Sequence, residues 1–379
     1  VPKTDSHYYR PKQYLKKLKI KDQEYDLPIF LPDATLGVVR NLDSQDLAQV
    51  GTEGVVINTY HLKEKPGVEI LNQVGGIKSL MNWSGLTASD SGGFQLFSLI
   101  NRNPDLGKVT DQGVVHYTGK NKQNKHIFTP EDSIKVQFAI GADIMICLDD
   151  FTPDDADQER IKTSVDRTID WAQRCKTEFE RQLKKHQLTD DDRPILLAPI
   201  QGHRDFELRK HCAQELQKIG FDGYGLGGWP FKDNGDFDYE MCSVNASLSP
   251  DDKPRFALGV GMPDNIVELF KMGYHIFDCV LPTRDARHKR LYVFKQDPKE
   301  INILEAKDWF DFVYINRGRY KTDQKPISPH CNCPVCSHHS RSYLNHLFKV
   351  KDGTAYRLAE LHNLYFYNQV IKLLRATLN

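Results

Sequence analysis

Short apolar runs recur along this chain at residues 27–31, 54–58, 86–89, 143–148, 195–200, 223–225, 255–259 and 275–280, most of them separated by enough sequence for a helix. Short apolar runs bounded by turn residues predict buried strands, and strands alternating with helical stretches predict a parallel sheet. Eight repeats of strand, loop and helix predict an α/β fold, a (β/α)8 TIM barrel. Nearly every run ends in a polar tip. The tips read Asp90-Ser91-Gly92-Gly93-Phe94-Gln95, Asp149-Asp150, Gln201-Gly202-His203, Gly227-Gly228-Trp229, Gly259-Val260-Gly261, and Asp278-Cys279 followed by Pro282-Thr283-Arg284. In a barrel the loops after the strands gather on one face, which holds the active site. Carboxylates, an amide, glycines and arginines are therefore expected to converge on one pocket.

Residues 1–25 form a charged leader, read as an added strand or hairpin across the barrel floor. Residues 99–126, rich in Gly, Asn, Asp and Lys, form an insertion after the third strand. That is long for a loop, so a hairpin or a mobile lid is expected. Over residues 158–185, Ile161, Val165, Ile169, Ala172, Cys175 and Phe179 recur at helical spacing, predicting a helix with a purely structural role against the barrel. The barrel is assigned to residues 26–298, in keeping with the roughly 250 residues a barrel takes. Residues 299–379 remain for a small subdomain and a last helix over 355–378.

The chain has 51 basic and 51 acidic residues, a formal charge of zero, which argues against a protein wrapped in nucleic acid. Between residues 281 and 350, however, 13 Lys/Arg stand against 7 Asp/Glu, making this stretch a candidate phosphate-facing surface. No apolar run approaches the ~18 residues of a membrane span, and the first residues are polar and basic rather than signal-like. A soluble, cytoplasmic protein is expected, a compartment that suits reduced cysteines.

Cys147, Cys175, Cys212, Cys242 and Cys279 lie in apolar or helical context and read as buried thiols. Cys331, Cys333 and Cys336 cluster on a tight loop with Pro329 and Pro334, which suits a tetrahedral Zn2+. His330, His338, His339, His346 and His362 are all candidates for the fourth ligand. A site filled by four protein ligands would be structural.

Asp90, Asp149, Asp150 and Asp278 terminate strands, where their side chains are expected to point into the pocket. Two opposed carboxylates suit chemistry at an acetal-like carbon, one attacking and the other moving a proton. Glycines at 92–93 and 227–228 would let backbone approach a flat ligand, with Phe94 and Trp229 placed to stack on it. Arg284, Arg287, Lys289 and Arg290 would meet phosphates. A planar base on a ribose within a nucleic acid meets these demands together.

These segments resemble the tRNA-guanine transglycosylase (queuine tRNA-ribosyltransferase) family from about Phe30 to His362. The resemblance rests on Asn58-Thr59-Tyr60-His61-Leu62, Asp90-Ser91-Gly92-Gly93-Phe94-Gln95, Gly141-Ala142-Asp143-Ile144, Gly227-Gly228, the run from Phe277 to Arg284, and Cys331, Cys333 and Cys336 with His362. It implies exchange of guanine at the anticodon wobble position of a tRNA for a 7-deazaguanine, through a covalent ribosyl-aspartate. Asp278 would be the nucleophile and Asp90 the general acid and base. Asp149 would hold the N1/2-amino edge of the base, Gln201 and the Gly228 N–H its carbonyl side, Ser91 a supporting hydrogen bond, and Phe94 one ring face. Arg284 and Arg287 would bind the tRNA around the target. The resemblance also implies one structural Zn2+ on Cys331, Cys333, Cys336 and His362, and a homodimer.

Phe151, His203, Trp229-Pro230 and His288-Lys289 depart from the bacterial pattern. The bulk of Phe151 and Trp229 hints at a small 7-substituent on the incoming base, while preQ1 and queuine both stay open. The alternatives are a non-catalytic tRNA-binding subunit of the same fold, which would not need both Asp90 and Asp278, and a deazaguanine-inserting enzyme acting on DNA. A barrel metallohydrolase is disfavoured because no early strand carries a His-x-His.

Overall fold

The structure, a computed structural model, describes residues 8–118, 124–153 and 155–378. Eight parallel strands form one sheet: β1 (Ile29–Pro32), β2 (Gly54–Ile57), β3 (Leu86–Ser89), β4 (Ile144–Ile146), β5 (Ile195–Ile200), β6 (Gly223–Leu226), β7 (Arg255–Ala257) and β8 (Ile276–Cys279). Hydrogen-bonded neighbours run β1-β8-β7-β6-β5-β4-β3-β2. The two ends meet through a parallel bridge between Asp33 and Val56, where the Ala34 N–H donates to the Val56 carbonyl at 2.7 Å. Each strand falls on its predicted run, and the barrel is the observed fold.

Side chains alternate across a strand, and the inward set forms one apolar layer. Ile29, Leu31, Val56, Leu86, Ala88, Ile144, Ile146, Ile195, Leu197, Phe256 and Ile276 pack in a single cluster together with Leu18 and Ile20. The last two come from an antiparallel hairpin, Lys17–Ile20 with Gln23–Asp26. Lys21 in its turn donates to Asp143 Oδ1 at 2.7 Å, just before β4. The hairpin thus plugs the barrel floor, with each buried aliphatic side chain contributing about 1.5–3 kcal/mol.

The insertion after β3 contains the expected hairpin and extends it by a third strand. Its first residues complete the helix Gly93–Arg102, a short 3-10 turn spans Pro104–Leu106, and Gly107–Thr110, Gly113–Thr118 and Asn124–Phe128 form a three-stranded antiparallel sheet. Val114 and Phe128 are fully buried beneath it, which ties the sheet to the barrel. The charged residues between these anchors hide the strand pattern in the sequence.

Helix α1 (Gln158–Lys185) has the predicted bounds and buries Ile161, Val165, Ala172, Cys175 and Phe179. Helix α2 (Phe206–Ile219) follows β5. The final helix, α3 (Gly353–Ala376), packs on the outward faces of β1 and β8, where Phe30, Phe277, Phe366 and Tyr367 share a core. Tyr367 OH pins it there by donating to the Gly261 carbonyl at 2.6 Å. Among the described residues no helix is long and apolar enough to cross a membrane. Cys147, Cys175, Cys212 and Cys242 are buried as predicted, whereas Cys279 is only partly so.

Candidate active site

The alternation that fills the barrel also aims its last layer. Continuing each inward series past the apolar cluster reaches Asp33 after Leu31, Asn58 after Val56, Asp90 after Ala88, Gln201 after Leu197 and Pro199, and Asp278 after Ile276. One polar ring therefore caps the apolar layer at the C-terminal face.

Asp90 is held by four donors: the Thr59 N–H at 3.0 Å, the Gly92 N–H at 2.9 Å, Asn58 Nδ2 at 2.7 Å and Gln95 Nε2 at 3.2 Å. Burial outweighs them and pushes its pKa up to about 6. Asp278 accepts one hydrogen bond, from the Gly259 N–H at 2.8 Å. No second donor reaches it among the described residues. Burial, with the nearby charges of Asp33 and Asp90, raises the Asp278 pKa to about 7. Asp149 accepts from Gln201 Nε2 at 2.6 Å, and burial raises it to about 6. The other Gln201 amide atom, Oε1, is buried without a hydrogen-bond partner.

Asp150 does not join them. It is fully buried on the other side of the strand tip, held by Arg160 Nη2 at 2.6 Å and by Arg167 from α1. Both aspartates lie beyond the last residue of β4, where strand alternation no longer sets direction, and their partners separate them: Asp149 meets Gln201 at the mouth, Asp150 the arginines of α1. Helix α1 consequently does more than pack, because its two arginines neutralise this carboxylate.

Ser91 is buried and accepts from the Gly93 N–H at 3.3 Å. Phe94 and Trp229 are 48% and 45% exposed, with ring planes 6° from parallel and centroids 6.5 Å apart, while Phe151 meets Phe94 edge-on at 5.3 Å. Gly228 has φ +96°, a conformation that favours glycine. Arg209, fully buried on α2, braces this wall: Nη1 donates to the Ile200 carbonyl at 2.7 Å and to the Gly227 carbonyl at 3.2 Å. It ties the tip bearing Gln201 to the tip bearing Gly228.

A family model described as Queuine tRNA-ribosyltransferase matches residues 13–379. The chain belongs to this family. Proteins named Queuine tRNA-ribosyltransferase from Helicobacter hepaticus and Thermoanaerobacter pseudethanolicus are 36% and 35% identical to it, over 95% and 93% of this chain and 89% and 86% of their own lengths. One from Caldanaerobacter subterraneus is 35% identical over 97% of this chain and 91% of its own. As a member of the queuine tRNA-ribosyltransferase family, the chain is a pentosyltransferase.

Elsewhere in this ribosyltransferase, the basic stretch after β8 is partly spent within the protein. Arg284 is exposed and its guanidinium makes no hydrogen bond among the described residues. Arg287 donates to the buried Glu360 of α3 at 3.1 Å. Arg290 is bound to Asp285 at 2.6 Å and lies over the Phe312 ring, leaving less free charge than the residue count implied.

Cys331, Cys333, Cys336 and His362 come together with their ligand atoms within 4.8 Å of one another, a set that could hold a metal ion. Of the candidate histidines only His362 joins the cluster. Its Nε2 donates to the Tyr292 carbonyl at 2.8 Å, so the Nδ1 lone pair faces the sulfurs at 3.4–3.8 Å. Sulfur and nitrogen ligands on one tetrahedral zinc stand about 3.5 Å apart.

Sequence reasoning missed Asp33, Arg160, Arg167, Arg209 and Glu360. The period-two pattern could have found Asp33. Nothing local marks the other four, because their partners lie on other elements.

Proposed function

We propose that this chain exchanges guanine at the wobble position of a tRNA anticodon for a 7-deazaguanine, as a tRNA-guanine transglycosylase in queuosine modification. The observation that carries the reading is the pair Asp90 and Asp278 facing one mouth, with electrostatic coupling between them. An Asp278 carboxylate oxygen attacks C1′, the C1′–N9 bond breaks, and the departing purine takes the proton of Asp90. The incoming base then returns a proton to Asp90, its N9 bonds to C1′, and the Asp278 carboxylate is released. Both atoms and charge balance, and no redox step is needed.

Asp149 would accept from the N1/2-amino edge of the base, with Gln201 and the Gly228 N–H on its carbonyl side and Phe94 on a ring face. A base splayed from a single-stranded loop can be read in this way at low cost. Burial raises the pKa of both Asp278 and Asp90 in the free protein, whereas attack requires an ionised Asp278. The charge of Asp90 adds to the rise at Asp278, and the positive charge developing on the sugar favours an ionised Asp278. Phe151 beside Phe94 and Trp229 favours a small 7-substituent. Arg284, exposed and without a guanidinium hydrogen bond among the described residues, would meet the RNA backbone, and Arg287 would contribute beside it. The soft Cys3His donor set fits Zn2+, which would staple α3 to the loop. A homodimer completes the proposal and is checked by sedimentation.

The test is radiolabelled guanine exchange into tRNA by the wild type and by Asp278→Ala. The expected result is loss of exchange with tRNA binding retained, together with a covalent RNA–protein band on denaturing gels that depends on Asp278. Unchanged exchange in the variant refutes the reading.

A further inference from the structure

The exchange chemistry makes no use of Asp33. This residue continues the inward series of β1 two positions beyond Leu31, and Leu31 lies opposite Asp278 in the β1–β8 register. With strands about 4.8 Å apart and about 3.3 Å of rise per residue, the backbones of Asp33 and Asp278 stand about 8 Å apart. The closing bridge to Val56 turns the same residue toward β2 and the Asp90 side of the mouth. Its charge acts on both Asp278 and Asp90. Thr35 Oγ1 donates to Asp33 Oδ1, and among the described residues no donor reaches Oδ2. Across the ring, the buried and unpartnered Gln201 Oε1 independently marks this mouth as a place completed by a ligand.

A further carboxylate beside the nucleophilic one disfavours its ionised form unless a donor satisfies it, and the substrate can supply that donor. The substrate groups nearest C1′ that can donate are sugar hydroxyls, and a 2′-hydroxyl is the donor that separates RNA from DNA. Hydrogen bonds to a sugar 2-hydroxyl also strengthen as positive charge develops on the ring.

We infer that Asp33 is a substrate-binding residue that accepts a hydrogen bond from a ribose 2′-hydroxyl at the reaction site and makes the enzyme selective for RNA. The inference rests on the proposed exchange reaction. It deepens that reading by assigning the sugar-recognition group.

The test uses the full chain and anticodon stem-loop RNAs carrying guanosine at the target, in three forms: all-ribo, 2′-deoxy at the target, and 2′-deoxy at its 5′ neighbour. The wild type is expected to lose about 10- to 100-fold in kcat/KM on one of the deoxy substrates, the range of a hydrogen bond to a charged acceptor. The position that suffers identifies the hydroxyl. Asp33→Ala is expected to lose a similar factor on all-ribo RNA and to process that deoxy substrate no worse. Asp33→Asn, close in shape and still an acceptor, keeps part of the discrimination and serves if the alanine variant does not fold. Penalties that multiply, with the variants retaining wild-type selectivity, overturn the inference. If that happens while Asp278→Ala still abolishes exchange, only the role of Asp33 falls. If the wild type does not exchange guanine at all, the reading of the site falls with it.

Discussion

Gln201 donates to Asp149 across 2.6 Å, and that bond fixes which end of the amide faces the mouth. With Nε2 committed to the carboxylate, Oε1 is left buried and unpartnered. The bond also restrains Asp149, whose pKa would otherwise climb beyond about 6. Gln201→Leu should therefore leave less Asp149 ionised at pH 7. The expected outcome is a KM for guanine raised about 10-fold or more, with the acid limb of the kcat/KM profile shifted to higher pH. An unmoved profile would separate the two side chains functionally.

Asp278 carries its proton up to a pKa of about 7 in the folded protein, against about 3.9 in an unfolded chain. Folding then binds a proton in this range, so the contribution is favourable below the unfolded value and is lost as pH rises through the folded one. Asp278→Asn removes the penalty. It should melt at a higher temperature than wild type at pH 8, by about 2–4 kcal/mol in stability at most, with the difference vanishing near pH 4. Calorimetry across that window checks it.

Asp150 is the opposite case. Two arginines are ion-paired to it inside the protein, and Asp150→Ala strands their charges. A destabilisation of about 3 kcal/mol is expected, read by urea unfolding. Exchange measured well below the melting temperature should stay within a few-fold of wild type, because the carboxylate faces away from the mouth.

Metal removal should act through α3. Chelation, or His362→Ala, is expected to release one zinc per chain by elemental analysis and to lower the melting temperature. The His362–Tyr292 bond and the cysteine loop anchor the same helix. Retention of zinc in the variant would reassign the fourth ligand.

Phe151 stands edge-on to Phe94 at 5.3 Å. Phe151→Ala should broaden tolerance for larger 7-substituents, seen as tighter competition by queuine against guanine exchange. Unchanged inhibition by all 7-deazaguanines would remove this wall from base selection.

The barrel was legible because burial on both sides of a parallel strand forces continuous apolar runs, and all eight runs became strands. Helix α1 was legible for a similar reason, its apolar stripe matching one buried face. The insertion sheet was not, since its strands mix charged residues with the few apolar anchors Val114, Val115 and Phe128. Within the site, a tip motif locates a residue without giving its direction. Asp149 and Asp150 are indistinguishable as letters and face opposite ways as side chains. Asp33 was overlooked although its strand obeys the same period-two rule as β8. Long-range partners such as Glu360 with Arg287, separated by most of the C-terminal region, leave no trace in local pattern.

The hairpin under the barrel has one more effect. With Leu18 and Ile20 filling the bottom of the well and Lys21 latched to Asp143, the barrel is closed below by the described residues and opens at the C-terminal rim. Under the proposed exchange, outgoing and incoming bases would have to queue at that rim, the first clearing the chamber while the sugar stays tethered. Free guanine and its replacement would then be rivals for one seat.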